Sequence, residues 1–262
     1  MRKIMVKYYR YAVFMLFCMA CGILFSCNAS ARVKEYRIEV VKEYPHDVRA
    51  YTQGLFFNDG QLYESTGEYG NSSFRKTDIL TGQPEKKIDF SEKYFIEGSV
   101  ILNGKLYILT WTGKVAFIYD AATLEYRSTY SYPRPGWGLT TDGKRLIASD
   151  GSSVLYFMDE SFAVQRRLTV RLNGRPMRSL NELEYINGKI WANVYTTDLI
   201  LIIDPETGNV EATVDASGLL PSKLRTPETD VLNGIAYNEK DGRLYLTGKN
   251  WPRLYEVRLV EK

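Results

Sequence analysis

The chain repeats one arrangement of apolar and polar positions five times. Each repeat has a strand-like apolar run, an Asp-Gly or Asn-Gly pair, and a second strand-like run. The glycines that mark the turns are Gly60, Gly104, Gly143, Gly188 and Gly242. These pairs favour the positive φ angles that tight β-hairpin turns require. The pattern therefore predicts an all-β chain built on five hairpins.

The spacing of the turns predicts the architecture. Successive turn glycines lie about 45 residues apart, which is the length of one four-stranded propeller blade. Five such units predict a five-bladed β-propeller over residues 36–262. The chain ends soon after the third strand of the fifth repeat, whereas strand-like residues 36–43 precede the first repeat. We expect this N-terminal strand to close the last blade and so cover its edge.

The N-terminus has the features of an export signal. An apolar run over residues 12–25 ends in Leu24-Phe25-Ser26-Cys27, which resembles a bacterial lipobox. Basic residues precede the run: Arg2, Lys3, Lys7 and Arg10. We interpret residues 1–26 as a lipoprotein signal peptide and residues 27–35 as a tether lipidated on Cys27. An uncleaved membrane anchor and an ordinary signal peptide are the alternatives.

Removing this signal changes the charge balance of the chain. The full sequence has 34 basic and 31 acidic residues, and loss of the four basic residues in segment 1–26 leaves 30 basic ones. The basic excess therefore gives no support for nucleic-acid binding. The residues after Cys27 carry no acidic cluster, which favours a bacterial envelope protein that is lipid-anchored and faces the periplasm. We expect a monomer.

Few residues are available for metal or thiol chemistry. Cys18 and Cys21 leave with the signal, so the mature chain keeps only Cys27 and can form no internal disulfide. The one histidine, His46, lies in the polar segment Pro45-His46-Asp47, where we expect a solvated loop residue. We therefore predict no metal site and no cofactor.

The repeats place variable residues at one mouth of the propeller channel. In each repeat the inner strand begins at one mouth of the channel. The second strand is antiparallel to it, so the second strand ends at the same mouth. Glycine and aliphatic positions recur between repeats, whereas the residues at these two strand ends differ, as expected for a site built on a shared scaffold. The variable residues are Gln53, Glu97, Trp137, Asn181 and Asn233 on the inner strands, with Trp111, Asp150, Tyr195 and Lys249 after the second strands.

Glu97 is the best candidate for acid–base chemistry. Phe95 and Trp111 would lie beside it, and apolar walls raise the pKa of a carboxyl group toward neutrality. The alternative is a structural ion pair at the rim between Glu97 and Lys249. Asp150 lies in Ser149-Asp150-Gly151-Ser152 and is interpreted as a turn residue.

The other mouth residues suit a small polar ligand. Trp111, Trp137 and Tyr195 could form an apolar cage, although aromatic residues in strands often belong to the core. Gln53 and Asn181 could hold an amide or carboxylate by hydrogen bonds. Asn233 could do the same or could cap backbone groups at the mouth.

Ordered segments over roughly residues 40–260 resemble the plant and bacterial glutaminyl cyclases, also called glutamine cyclotransferases. The segments that carry the resemblance include Tyr51-Thr52-Gln53-Gly54-Leu55, Phe95-Ile96-Glu97-Gly98, Gly136-Trp137-Gly138-Leu139-Thr140, Leu180-Asn181-Glu182-Leu183 and Leu246-Thr247-Gly248-Lys249. The resemblance implies a five-bladed propeller that converts an N-terminal glutamine to pyroglutamate with loss of ammonia. Peptides or proteins with N-terminal glutamine are then the partners, with the membrane reached through Cys27.

The resemblance also implies the site residues. The expected catalytic residues are Glu97, Lys249, Asn181 and Gln53, and the expected substrate-binding residues are Tyr51, Phe95, Trp111, Trp137 and Tyr195. Two positions depart from the family pattern, since Tyr51 stands where Phe is usual and Tyr195 where Trp is usual. Both departures keep an aromatic wall and bear on substrate preference.

Two other functions fit a propeller with this mouth. One is a non-catalytic domain that binds peptide termini or protein partners, and it predicts that Glu97 affects affinity only. The other is a sugar- or lactone-acting hydrolase. Such enzymes hold a channel metal with several carboxylates and Asn, and this rim offers only Glu97 and Asp150 as clear carboxylates.

Overall fold

The structure is a computed structural model and describes residues 32–262. The predictions for residues 1–31, including lipidation of Cys27, lie outside the described residues. The described chain is almost entirely β, with one short 3₁₀ turn at Ser222–Leu224. No helix in this part of the chain has the length and apolar character needed to cross a membrane.

Strands follow one another in antiparallel runs. Strand β1 (Lys34–Pro45) comes first, and three four-stranded sheets follow it in chain order. The first sheet contains β2 (Thr52–Asn58), β3 (Gln61–Thr66), β4 (Ser73–Thr77) and β5 (Pro84–Asp89). The second contains β6 (Ile96–Leu102), β7 (Lys105–Thr110), β8 (Val115–Asp120) and β9 (Tyr126–Ser131). The third contains β10 (Leu139–Thr141), β11 (Leu146–Ala148), β12 (Val154–Met158) and β13 (Val164–Thr169).

The last two runs share one sheet. After the small hairpin β14 (Arg171–Leu172) and β15 (Arg175–Pro176), the fourth run contains β16 (Leu180–Ile186), β17 (Lys189–Val194), β18 (Leu199–Ile203) and β19 (Val210–Asp215). The fifth contains β20 (Leu232–Asn238), β21 (Arg243–Gly248) and β22 (Arg253–Glu261). Strand β1 pairs antiparallel with β22 and parallel with β19, so it joins both runs into eight strands. The N-terminal strand therefore lies in the sheet of the last repeat.

The inner strands bring the runs together. Strands β2, β6, β10, β16 and β20 contact one another in that order, and β20 returns to β2. They are almost wholly buried, whereas the outer strands β5 and β9 are mostly exposed. Apolar clusters fill the space between neighbouring sheets, as with Leu155 and Phe157 of β12 packed near Ile190 of β17.

The five predicted hairpin turns are present. Their glycines have φ between 71° and 80°, a region that residues with a Cβ seldom occupy. Asp59, Asn103 and Asn187 also have positive φ, which gives both central residues of those turns the left-handed conformation. In the third turn, Asp142 instead accepts hydrogen bonds from the backbone N–H groups of Lys144 and Arg145.

The prediction for His46 was wrong, because this residue is buried and fully bonded. Its Nδ1 lies 2.7 Å from the Trp251 carbonyl oxygen and its Nε2 lies 2.9 Å from Glu64 Oε1. The hydroxyl of Thr52 also donates to Glu64 Oε1, at 2.7 Å. Burial opposes a charge on the imidazole, yet the Glu64 carboxylate raises the pKa of His46 above its ordinary value. The residues next to His46 in the sequence are polar and suggested an exposed loop, because its partners Glu64 and Trp251 lie farther along the chain.

Glu182 ties three inner strands together from the start of β16. Its carboxylate accepts hydrogen bonds from Leu55 N of β2 at 3.3 Å and from Ile235 N of β20 at 2.9 Å. The side chain is buried, and this burial raises the pKa of Glu182 to about 8 although the two backbone bonds oppose the shift. The folded protein therefore retains a proton that an exposed glutamate loses near pH 4.3 to 4.5.

We expect Glu182→Gln to change how stability depends on pH. Between about pH 4.5 and pH 8 the folded state binds more protons at Glu182 than the unfolded state, so stability falls as pH rises. The variant lacks this contribution, so its melting temperature relative to the parent should increase by roughly 10 °C from pH 5 to pH 8. Thermal melts followed by circular dichroism measure this difference, and a constant offset at all pH values would contradict the assignment.

Candidate active site

Bulges in the inner strands aim the polar residues of the site. The pairing register shifts between Thr52 and Gly54 in β2, between Ile96 and Ser99 in β6, and between Leu180 and Leu183 in β16. A bulge adds an unpaired residue and turns its side chain away from the regular alternation. The residues inside these irregular stretches include Gln53, Glu97 and Asn181, and each projects into one cavity.

The ends of the second strands supply the opposite walls. Trp111 directly follows β7, Tyr195 directly follows β17 and Lys249 directly follows β21. Trp137 lies just before the third inner strand, β10, and its carbonyl accepts a hydrogen bond from Gly98 N at 2.7 Å. Strand ends from several sheets therefore meet at one place, as the antiparallel pairing predicts.

The cavity has a volume of about 210 Å³. Its lining contains all nine of the site residues that the sequence predicted inside the propeller, namely Tyr51, Gln53, Phe95, Glu97, Trp111, Trp137, Asn181, Tyr195 and Lys249. A larger cavity, of about 430 Å³, lies at the hairpin turns around Gly60 and Gly143 and shares none of these residues. In residues 32–262, no three His, Cys, Asp or Glu side chains are grouped to hold a metal ion.

Two mouth residues lie outside the cavity. Asp150 accepts hydrogen bonds from Ser152 N and from the Tyr156 hydroxyl, which is the turn role that the sequence favoured. Asn233 donates from Nδ2 to the Thr52 carbonyl at 2.9 Å and so caps the backbone of β2.

Aromatic rings form two walls of the cavity. The Phe95 ring lies 6.2 Å from Tyr51 and 5.6 Å from Trp111, both edge-on, and Trp137 meets Tyr195 edge-on at 5.5 Å. Trp111 is 39% exposed, so it is a wall of the mouth and no core residue. Edge-to-face contacts hold such rings in fixed orientations.

Gly67 makes room for this wall. A Cβ on Gly67 would lie 2.3 Å from the Phe95 ring and 3.1 Å from Gln53 Cγ. Only a residue without a side chain lets Phe95 and Gln53 approach the end of β3 this closely.

We expect Gly67→Ala to raise KM and lower kcat, each by roughly tenfold, because a displaced Phe95 ring misplaces the substrate. Gly70→Ala is the matched control. Its Cβ would meet nothing within 4 Å, and its φ of 84° adds a backbone strain that Gly67 does not have. Steady-state kinetics measure KM and kcat for both variants. Equal effects of the two substitutions would count against a role for the Phe95 wall.

Glu97 is buried beside an unpaired cation. The residue is 5% exposed, and burial raises its pKa to about 8 although the charge of Lys249 opposes the shift. Within residues 32–262, no basic nitrogen lies within 4.0 Å of the Glu97 carboxylate, and no carboxylate oxygen lies within 4.0 Å of Lys249 Nζ. The rim ion pair offered as an alternative for Glu97 is therefore not formed, and the two side chains face the cavity separately.

Lys249 lies between two aromatic rings. Its Nζ is 4.6 Å from the Tyr51 ring centre and 4.9 Å from the Tyr195 ring centre. Burial lowers the pKa of Lys249, while the charges of Glu97 and Asp230 oppose that shift. Cation–π contacts compensate part of the lost hydration of the ammonium group.

Two side-chain amides complete the polar lining. Gln53 and Asn181 are 3% and 2% exposed. Asn233 Nδ2 lies 3.5 Å from Gln53 Oε1, and the Asn181 backbone carbonyl accepts from Ser149 Oγ at 2.8 Å. Both residues line the cavity, and the side-chain amide of each can donate a hydrogen bond to a ligand there.

Sequence reasoning missed Asp230. This half-buried residue lies in the loop before β20 and its Oδ2 accepts a hydrogen bond of 2.6 Å from the Tyr51 hydroxyl. The loop has no counterpart in the other repeats, so the repeat pattern carried no signal for it.

Comparison with known proteins identifies the family. The family described as glutamine cyclotransferase matches residues 13–259. The chain belongs to the glutamine cyclotransferase family. A glutaminyl-peptide cyclotransferase of Arabidopsis thaliana is 44% identical over 241 residues, which cover 90% of this chain and 75% of the plant protein. The crystal structure of a glutaminyl cyclase from Myxococcus xanthus superposes with a TM-score of 0.82 at 36% identity, over 88% of this chain and 99% of that one.

Proposed function

We propose that this protein is a glutaminyl-peptide cyclotransferase, which converts the N-terminal glutamine of peptides and proteins to pyroglutamate and releases ammonia. Membership of the family supports this activity. The observation that carries it most directly is a small aromatic cavity in which a buried carboxyl group and a buried amine face the same space without pairing.

The reaction is an intramolecular acyl transfer. The α-amino nitrogen of the substrate forms a bond to the carbon of its own side-chain carboxamide, and the bond from that carbon to the amide nitrogen breaks. Glu97 takes a proton from the attacking amine and delivers it to the departing nitrogen, which leaves as ammonia. A pKa of about 8 suits both steps, since both protonation states of the carboxyl group are populated between about pH 7 and pH 9.

Lys249, Gln53 and Asn181 act on the carboxamide oxygen. This oxygen gains negative charge as the amine attacks, and donors already in place stabilise that charge without reorganisation. Tyr51, Phe95, Trp111, Trp137 and Tyr195 hold the apolar stem of the glutamine and keep water from the reacting atoms. Both reacting groups belong to one substrate residue, so holding its side chain folded back supplies much of the rate.

We further infer that the five runs of strands are the blades of one propeller. The closed succession of inner strands and the pairing of β1 with β22 support this architecture. The cavity then lies at one mouth of the channel, where strand ends from different blades converge. We infer that one copy suffices for activity, since nine residues of this chain already supply the aromatic walls, the carboxyl group and the amine of the cavity.

We also propose that the protein is a lipoprotein of the bacterial envelope that faces the periplasm. The lipobox-like sequence that ends at Cys27 supports this location. We expect Cys27→Ser to abolish lipid attachment and to leave an uncleaved or soluble form. Metabolic labelling with a fatty acid measures the attachment, and a labelled Cys27→Ser protein would contradict the proposal.

The activity is tested by incubating the purified protein with a peptide that begins with glutamine and assaying ammonia. The same peptide with an acetylated α-amine is the control, because it lacks the nucleophile. Ammonia from the free peptide alone supports cyclisation. Release from both peptides indicates a simple amidase, and release from neither favours a non-catalytic domain that binds peptide ends.

A further inference from the structure

Asp230 lies directly behind the cavity wall that carries the buried cation. Its Oδ2 accepts a hydrogen bond of 2.6 Å from the Tyr51 hydroxyl, and the Tyr51 ring faces the Lys249 ammonium at 4.6 Å. Asp230 itself does not line the cavity. It therefore acts on the site only through Tyr51 and through its charge.

The backbone fixes Asp230 to Lys249 as well. Asp230 N donates to the Lys249 carbonyl at 3.0 Å, and Lys249 N donates to the Val231 carbonyl at 2.9 Å. The indole N–H of Trp251 donates to the Asp230 carbonyl at 2.9 Å. Three hydrogen bonds therefore join the loop before β20 to the end of β21 and to Trp251, and they place Asp230 beside Lys249.

A buried ammonium group needs a lasting counter-charge. The groups that act on Lys249 electrostatically are Glu97 across the cavity, Asp230 behind it, and the rings of Tyr51 and Tyr195. Glu68 contributes a further negative charge near Tyr51. Glu97 changes its protonation during the proposed reaction, so it cannot supply a constant charge. Asp230 lies outside the cavity and takes no part in proton transfer.

We propose that Asp230 is a positioning residue of the reaction, which fixes the Tyr51 ring through the hydroxyl and keeps Lys249 in its ammonium form while Glu97 transfers protons. This inference rests on the proposed role of Lys249. It also assigns a function to the hydroxyl of Tyr51, which Phe would lack.

The test is the pH profile of kcat/KM for Asp230→Asn, which keeps the shape and an acceptor for Tyr51 but removes the charge. Loss of a nearby negative charge makes Lys249 lose its proton more readily. The fall of kcat/KM at high pH should therefore begin at a lower pH, and kcat/KM at about pH 8 should be reduced roughly tenfold. This loss is smaller than the 10²–10³-fold loss expected for removing the Lys249 donor itself. Tyr51→Phe should leave the fall at high pH in place and reduce kcat slightly.

Two further variants serve as controls. Asp230→Glu keeps the charge and should restore the wild-type position of this fall. Asp198→Asn removes a carboxylate from the neighbouring groove that Asp198 shares with Asp230, and it should change neither kcat nor the pH profile. The proposal is overturned if the fall of kcat/KM at high pH stays in place in Asp230→Asn. It is also overturned if Asp198→Asn shifts this fall by the same amount. Near-normal turnover in Lys249→Met would overturn it together with the role of Lys249, whereas pyroglutamate formation by the wild type would still stand.

Discussion

Replacing Glu97 by glutamine is expected to lower kcat by about 10²–10⁴-fold and to leave KM within a few-fold of the wild-type value. Glutamine keeps the size of the side chain and its ability to form hydrogen bonds, but it cannot take up and release a proton. The lost interaction belongs to the transition state, so turnover falls while ground-state binding is preserved. Glu97 is buried, at 5% exposed, so a water molecule cannot easily take over its proton transfer in the variant.

The matched control for this variant is Glu92→Gln, which changes an exposed carboxylate a few residues before β6. Steady-state kinetics with one peptide should show wild-type behaviour for this control. Trp111→Ala offers a second contrast, since removal of a cavity wall should raise KM as well as lower kcat. Near-normal turnover of Glu97→Gln would make Glu97 a structural residue and leave the proton transfer to another group.

Replacing Lys249 by methionine is expected to lower kcat by about 10²–10³-fold with a modest change in KM. Methionine keeps most of the length and apolar contact of the side chain between Tyr51 and Tyr195, so the walls of the cavity persist. The variant loses the charge that stabilises the developing negative oxygen, and Gln53 and Asn181 alone offer weaker donors.

Lys240→Met is the control for the charge itself, because Lys240 is exposed and lies near Asp59 at the larger cavity, around Gly60 and Gly143. Its kinetic constants should match the wild type. A Lys249→Met protein with a raised KM and an unchanged kcat would show that Lys249 binds the ground state and does not act on the transition state.

The sequence predicted the parts of the molecule that depend on local chemistry and on strand direction. The Asp-Gly and Asn-Gly pairs marked all five hairpins, because few other residues adopt their φ angles. Antiparallel pairing then required Trp111 and Lys249, at the ends of second strands, to lie near Glu97 on an inner strand. The aromatic and amide residues of the cavity followed from the same argument and from the family resemblance.

Other features depend on contacts between distant segments, which local patterns do not encode. His46 has polar neighbours in sequence, yet its partners Glu64 and Trp251 bury it. Asp230 lies in a loop that no repeat shares, and only the folded chain brings it to Tyr51. The sequence also did not predict the parallel pairing of β1 with β19, because it indicated only a strand of the last repeat as the partner of β1.

The most direct test of glutaminyl cyclisation at this cavity follows the nitrogen atoms of the substrate. A glutamine-initiated peptide is prepared in two forms, with nitrogen-15 in the side-chain amide or in the α-amine, and each is incubated with the purified protein and analysed by mass spectrometry. We expect a peptide lighter by one ammonia, with the label lost from the first form and retained in the second. The peptide should stay unchanged with Glu97→Gln over the same time. An intact peptide with the wild-type protein, or loss of the α-nitrogen, would contradict the assignment of this cavity to glutaminyl cyclisation.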